Sequence, residues 1–135
     1  MIGFYIDSSL YPQPQLSRGQ QTESHPPKYL ALGPFCGKPA CQLINITPGK
    51  ARGVCADAYL QQQTLLVPDV DVYPGHIACD GDTKSEIVCP LVLQGVNQTI
   101  VGVLDLDCLA VNGFTEEDKA GLTKIADLVV ASCDW

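Results

Sequence analysis

The segment EIVCPLVLQGVNQTIVGVLDLD, residues 86–107, decides the fold. EIVCPLVL (86–93) and TIVGVLDLD (99–107) are each nearly continuous in apolar residues, as strands buried on both faces are. The polar stretch QGVNQ joins them. Side chains alternate along a strand, so Glu86, Val88 and Pro90 point one way and Ile87, Cys89 and Leu91 the other. In the second strand Val103, Asp105 and Asp107 share a face. Acids on an apolar strand are costly unless they meet water, a ligand or each other. The strand alone leaves open a plainer arrangement, in which the acids cap its end in solvent. If Glu86 instead approaches Asp105 and Asp107, the three carboxylates cannot all ionise cheaply, and at least one stays protonated near neutral pH. A proton donor beside a thiol would let the thiol attack while the acid protonates a departing oxygen.

Outward from that pair, GFYI (3–6), YLALGPF (29–35) and ACQLINI (40–46) read as strands, the last two around a Gly-Lys-Pro turn. Residues 8–28 are rich in Pro, Gln and Ser without an apolar period, which predicts a flexible surface loop. ARGVCADAYLQQQ (51–63) predicts a short helix and TLLVPDV (64–70) an extended segment. FTEEDKAGLTKIADLVVASC (114–133) predicts a closing helix, with Thr115 as N-cap, Asp118 three positions on, and acids in the first turn. Its apolar face is expected to be Leu122, Ile125, Ala126 and Val129. Together these elements predict one α+β domain over 1–135, a central antiparallel β-sheet flanked by helices.

The charge balance narrows the partners. Eight Lys and Arg are scattered through a chain of net charge −7, which argues against nucleic acid and anionic membrane surfaces. No run of 18 apolar residues offers a membrane span. MIGFYIDSSLYPQ lacks the basic and apolar regions of a secretory signal, so a reducing, cytoplasmic setting is expected. Seven cysteines, an odd number, make a poor disulfide framework. Structural zinc is also disfavoured, because no C-x-x-C pair exists and only His25 and His76 could join. No metal or organic cofactor is implied.

Cys89, Cys108 and Cys133 lie in strands or the closing helix and read as small buried hydrophobes. Cys41, Cys55 and Cys79 differ. They sit in GKPAC, RGVC and GHIAC, near glycine-containing turns where a substrate, and each other, can reach them. His76 is either a turn histidine or a group that lowers the pKa of a neighbouring thiol.

GPFCGKPAC (33–41), ARGVCA (51–56), VPDVDVYPGHIACD (67–80), SEIVCPL (85–91) and GVLDLD (102–107) occur in an order that resembles the free methionine-(R)-sulfoxide reductases, which are single GAF domains. The resemblance runs over most of residues 29–130. It implies a GAF-like fold and the reduction of free L-methionine-(R)-sulfoxide. Cys79 would be the nucleophile, Cys41 the resolving cysteine and Cys55 an auxiliary redox cysteine. Glu86, Asp105 and Asp107 would hold the sulfoxide oxygen, with Tyr5, Ile77 and Ala78 also in the substrate site. It further implies a Cys79 sulfenic acid, a disulfide recycled by thioredoxin, and a possible homodimer. The family's first helix is missing from this chain, and Met1 stands where the family has a tryptophan of its aromatic box, leaving Tyr5. The alternative is a catalytically impaired GAF domain that serves as a small-molecule-binding or regulatory module.

Overall fold

A computed structural model describes residues 1–12, 27–77, 79–95 and 98–135. Six strands form one sheet: β1 (Ile2–Asp7), β2 (Tyr29–Cys36), β3 (Leu43–Asn45), β4 (Leu65–Val67), β5 (Ser85–Leu93) and β6 (Thr99–Cys108). Their order across the sheet is β3-β2-β1-β6-β5-β4, and every pairing is antiparallel. Among the described residues the two α-helices are α1 (Val54–Gln61) and α2 (Glu116–Ser132). The architecture is the expected α+β one, with a helix packed on each face of the sheet.

The centre of the sheet is formed by the segment 86–107, in β5 and β6. In β5, residues 85–89 are all buried, and β6 is buried from Val101 to Asp105. The alternation sorts them into two cores. Val88 and Val103 join Tyr5, Leu30, Val54 and Ala58 beneath α1, whereas Ile87, Cys89, Leu91 and Leu104 join Ala126 and Val130 beneath α2. Val101 breaks the alternation. It lies in the α2 core although Val103 lies in the other, because the β5–β6 register slips between Leu91 and Val92. Such a bulge turns one residue over to the opposite face.

Beside the bulge, Gly102 lets β1 approach closely. A Cβ there would lie 2.2 Å from the carbonyl oxygen of Tyr5 and 3.1 Å from Cα of Ile6. Both obstacles are backbone, so no side chain can turn aside. Gly102→Ala is expected to cost about 3 kcal/mol through overpacking. The midpoint of urea unfolding measures it, and an unchanged midpoint would mean that β1 and β6 separate freely.

Helix α2 starts as expected. The Thr115 hydroxyl accepts from the Asp118 N–H at 3.2 Å, and the Asp118 carboxylate accepts from the Thr115 N–H at 2.8 Å. Its buried face differs from the expected one: Ala126 and Val130 are buried, while Ile125 is 49% exposed and Val129 only half-buried. Thr123 turns toward the sheet and pairs its hydroxyl with that of Thr64 at 3.0 Å, which rotates the contact stripe toward the 122–126–130 row. The other limits also shift. The strand expected over 40–46 is regular only over Leu43–Asn45, and the helix expected over 51–63 spans Val54–Gln61. Of the predicted loop 8–28, Ser8–Leu10 is a 3-10 turn capped by the Asp7 carboxylate, and residues 13–26 lie outside the described residues.

Candidate active site

A cavity of about 260 Å³ opens on the α1 side of the sheet. Its floor is β1, β5 and β6. Register places Glu86 directly opposite Asp107 and Val88 opposite Asp105, while Tyr5 pairs with Val103, diagonal to Asp105. Side chains opposite one another across antiparallel strands stand roughly 5 Å apart. The three acids therefore meet, and the solvent-capping alternative does not hold for the inner two. Glu86 is 6% exposed and Asp105 4%; Asp107, nearer the strand end, is half-buried.

Cys55 comes to the acids from above. Gly53, at φ +88°, starts α1 with its open face toward Ile77, and Cys55 follows in the first turn. The thiol lies 3.8 Å from Glu86 Oε1. Cys55 is thus a buried helical residue, not the accessible turn thiol expected from RGVC; the glycine serves the helix start. Burial pushes its pKa well above the ordinary value, and the neighbouring Asp105 and Glu86 carboxyl groups add to this.

Cys41 and Cys79 form a disulfide at the cavity wall, with Cα atoms 5.2 Å apart. Lys38, three residues before Cys41, reaches Asp82 at 2.6 Å and Asp80 at 3.7 Å, drawing together the two loops that carry the cysteines. Exposed pairs of this kind contribute little energy, so alignment is their main effect. Ile77 lines the cavity, and Ala78 lies outside the described residues.

His76 lines the same cavity and meets a carboxylate there. Its Nε2 is 3.4 Å from Glu86 Oε2, and this contact raises the pKa of the imidazole. The turn holding His76 is tied to α1, because Tyr73 donates from its hydroxyl to the Asp57 carboxylate at 2.7 Å. Nothing in the strand pattern signals this contact. Met1 and Arg52 also line the cavity. Of the remaining cysteines expected to be buried, Cys89 is, but Cys108 is half-buried and Cys133, just past α2, is exposed.

The acids behave as their crowding demands. Burial raises the Asp105 pKa well above the carboxylate range, and Glu86 and Asp107 push it further. Asp107 is raised to about 6, by burial first and by Glu86 second. Since Asp107 ionises at 3.8 when exposed and near 6 when folded, the folded chain holds the extra proton between those values. Stability from this group therefore falls as pH rises through that window. Thermal melting at pH 4 and pH 7 should show the fall, and Asp107→Asn, which cannot ionise, should make it smaller. An equal fall in both proteins would place the titration elsewhere.

The GAF domain model matches residues 28–132. The free methionine-R-sulfoxide reductase of Saccharomyces cerevisiae is 47% identical over 112 residues, covering 83% of this chain and 59% of the yeast protein. The X-ray structure of the Neisseria meningitidis free methionine-R-sulfoxide reductase, in complex with its substrate, superposes with a TM-score of 0.72 at 33% identity. The match covers 96% of this chain and 64% of that one. The type II enzyme of Thermoplasma acidophilum gives 0.71 at 31% identity, over 96% of this chain and 75% of that one. The chain spans 56–62% of the length of the curated relatives it matches. A GAF sheet that gathers Cys79, Cys41 and the paired strand acids around one cavity, at these identities, makes the chain a member of the GAF domain family, among the free methionine-R-sulfoxide reductases.

Proposed function

We propose that this chain reduces free L-methionine-(R)-sulfoxide to L-methionine. The observation that carries the proposal is one cavity holding the Cys41–Cys79 pair together with Asp105, a buried acid kept protonated by its surroundings. The Cys79 thiolate attacks the sulfoxide sulfur while Asp105, with Glu86 and Asp107, protonates and holds the oxygen. The oxygen passes to Cys79 as a sulfenic acid, and the thioether methionine leaves. Cys41 then displaces that oxygen as water, forming the disulfide, and a dithiol reductant, thioredoxin, reduces it by exchange. Such a cycle suits a reducing cytoplasm. Cys55, buried against the acids, serves as the auxiliary thiol, and Tyr5 walls the substrate's apolar end.

Arg52 fits a free amino acid. Its guanidinium offers the substrate carboxylate a planar, bidentate partner at the cavity rim. A peptide-bound sulfoxide has an amide in place of that carboxylate.

The test is NADPH consumption with thioredoxin and thioredoxin reductase, offering the free R epimer, the free S epimer and a peptide-bound sulfoxide. Turnover of the free R epimer alone is the expected result. Folded protein silent on all three would sink the proposal and favour a small-molecule-binding module.

A further inference from the structure

Cys55, Glu86 and Asp105 form a cluster that the reductase cycle does not fully use. One ligand atom from each lies within 4.8 Å of the others, and all three side chains are buried. Asp105 Oδ1 is buried without a hydrogen-bond partner. Among the described residues, the ion pair made by these acids is with His76, on Glu86. The cluster thus brings together one sulfur and two carboxylates, with an unmet acceptor and little positive charge to balance them.

We propose that Cys55, Glu86 and Asp105 bind a borderline divalent cation, zinc(II) being the representative ion. A thiolate with two carboxylates suits zinc(II) better than calcium or magnesium, which take oxygen ligands almost exclusively. Zinc bonds of about 2.0–2.3 Å place tetrahedral ligands roughly 3.5 Å apart, so the three groups need close by only about an ångström. The ion releases the Cys55 and Asp105 protons and supplies the missing partner of Asp105 Oδ1. His76 steadies Glu86 from outside, as groups behind metal-bound carboxylates do. The fourth position faces the cavity. If the proposed function holds, the ion occupies the place of the sulfoxide oxygen and inhibits turnover.

The geometry also sets the experiment. With the Cys41–Cys79 disulfide closed, Cys55 is the one thiol among the cavity-lining described residues. Exposed Cys36 and Cys133 are first changed to serine, so that they cannot capture metal. The oxidised protein is then titrated with Co²⁺, read by its sulfur-to-metal charge-transfer band, and with Zn²⁺ by calorimetry. One ion per chain is expected. Cys55→Ser should abolish the band, and Asp105→Asn should weaken Zn²⁺ binding more than about 100-fold, with His76→Gln weakening it about 10-fold. A band that survives Cys55→Ser, or no stoichiometric binding, overturns the proposal. Should Asp105→Asn fail to fold, the loss of the band in Cys55→Ser decides alone. These readouts require no turnover. Failed binding leaves the reductase proposal standing, and a protein that binds the ion but reduces no sulfoxide in metal-free buffer refutes only the latter.

Discussion

Cys79→Ser is expected to lower sulfoxide turnover by at least about 10⁴-fold, the scale on which loss of a nucleophile is felt. The substitution barely changes side-chain size, so the cavity and its acids should persist. A serine hydroxyl at neutral pH lacks the thiolate's nucleophilicity, and no sulfenic acid can form. Cys41→Ser separates the steps. Cys79 can still attack once, leaving a sulfenic acid without its resolving partner, so a rapid-quench experiment should yield one methionine per enzyme and then stop. Cys55 lies in the same cavity and could restore slow turnover by resolving Cys79 itself; the double variant Cys41→Ser, Cys55→Ser distinguishes these cases. Multiple turnover by Cys79→Ser would place the chemistry on another cysteine.

Asp105→Asn should lower kcat about 10²–10⁴-fold, the range for a positioned general acid. Asn keeps the shape and can still donate a hydrogen bond, but it cannot deliver a proton. KM should consequently move far less than kcat. Stability should hold, because the buried Asp105 is itself neutral in the fold and the amide removes crowding with Glu86 and Asp107. The check is steady-state kinetics across pH beside a denaturant titration. A kcat within about threefold of the parent, in a folded protein, would assign proton delivery to Asp107 or His76.

The strand acids could be read from the sequence because period-2 geometry leaves little choice. Once β5 and β6 pair without a slip at this end, Glu86 and Asp107 must share a face with Asp105. The capping box at Thr115 was equally visible, since its two partners lie three residues apart. The missed features depend on distant contacts. Ile125 looks like a core residue by spacing, but the turn of α2 is set by Thr123 meeting Thr64, far away in sequence. The partner of His76 is fixed by the Tyr73–Asp57 tie between a loop and α1, which no local pattern encodes. Cys55 stands out in the sequence as a thiol beside a glycine, yet its burial follows from α1 lying on the sheet, a tertiary fact. The two-faced core was legible in outline, and the Val101 bulge that exchanges one residue between its halves was not.

If the chain runs the proposed cycle, the Cys41–Cys79 link also makes stability a clock for it. It closes a sequence separation of 38 residues, a span that contains β3, α1 and β4. Loop-closure entropy for such a span is worth about 4 kcal/mol to the folded state. In that cycle each passage from dithiol to disulfide would harden the protein against unfolding, and each reduction would soften it again. A population kept busy by oxidised methionine and starved of reductant would be its sturdiest form, outlasting the resting dithiol protein under heat or proteolysis.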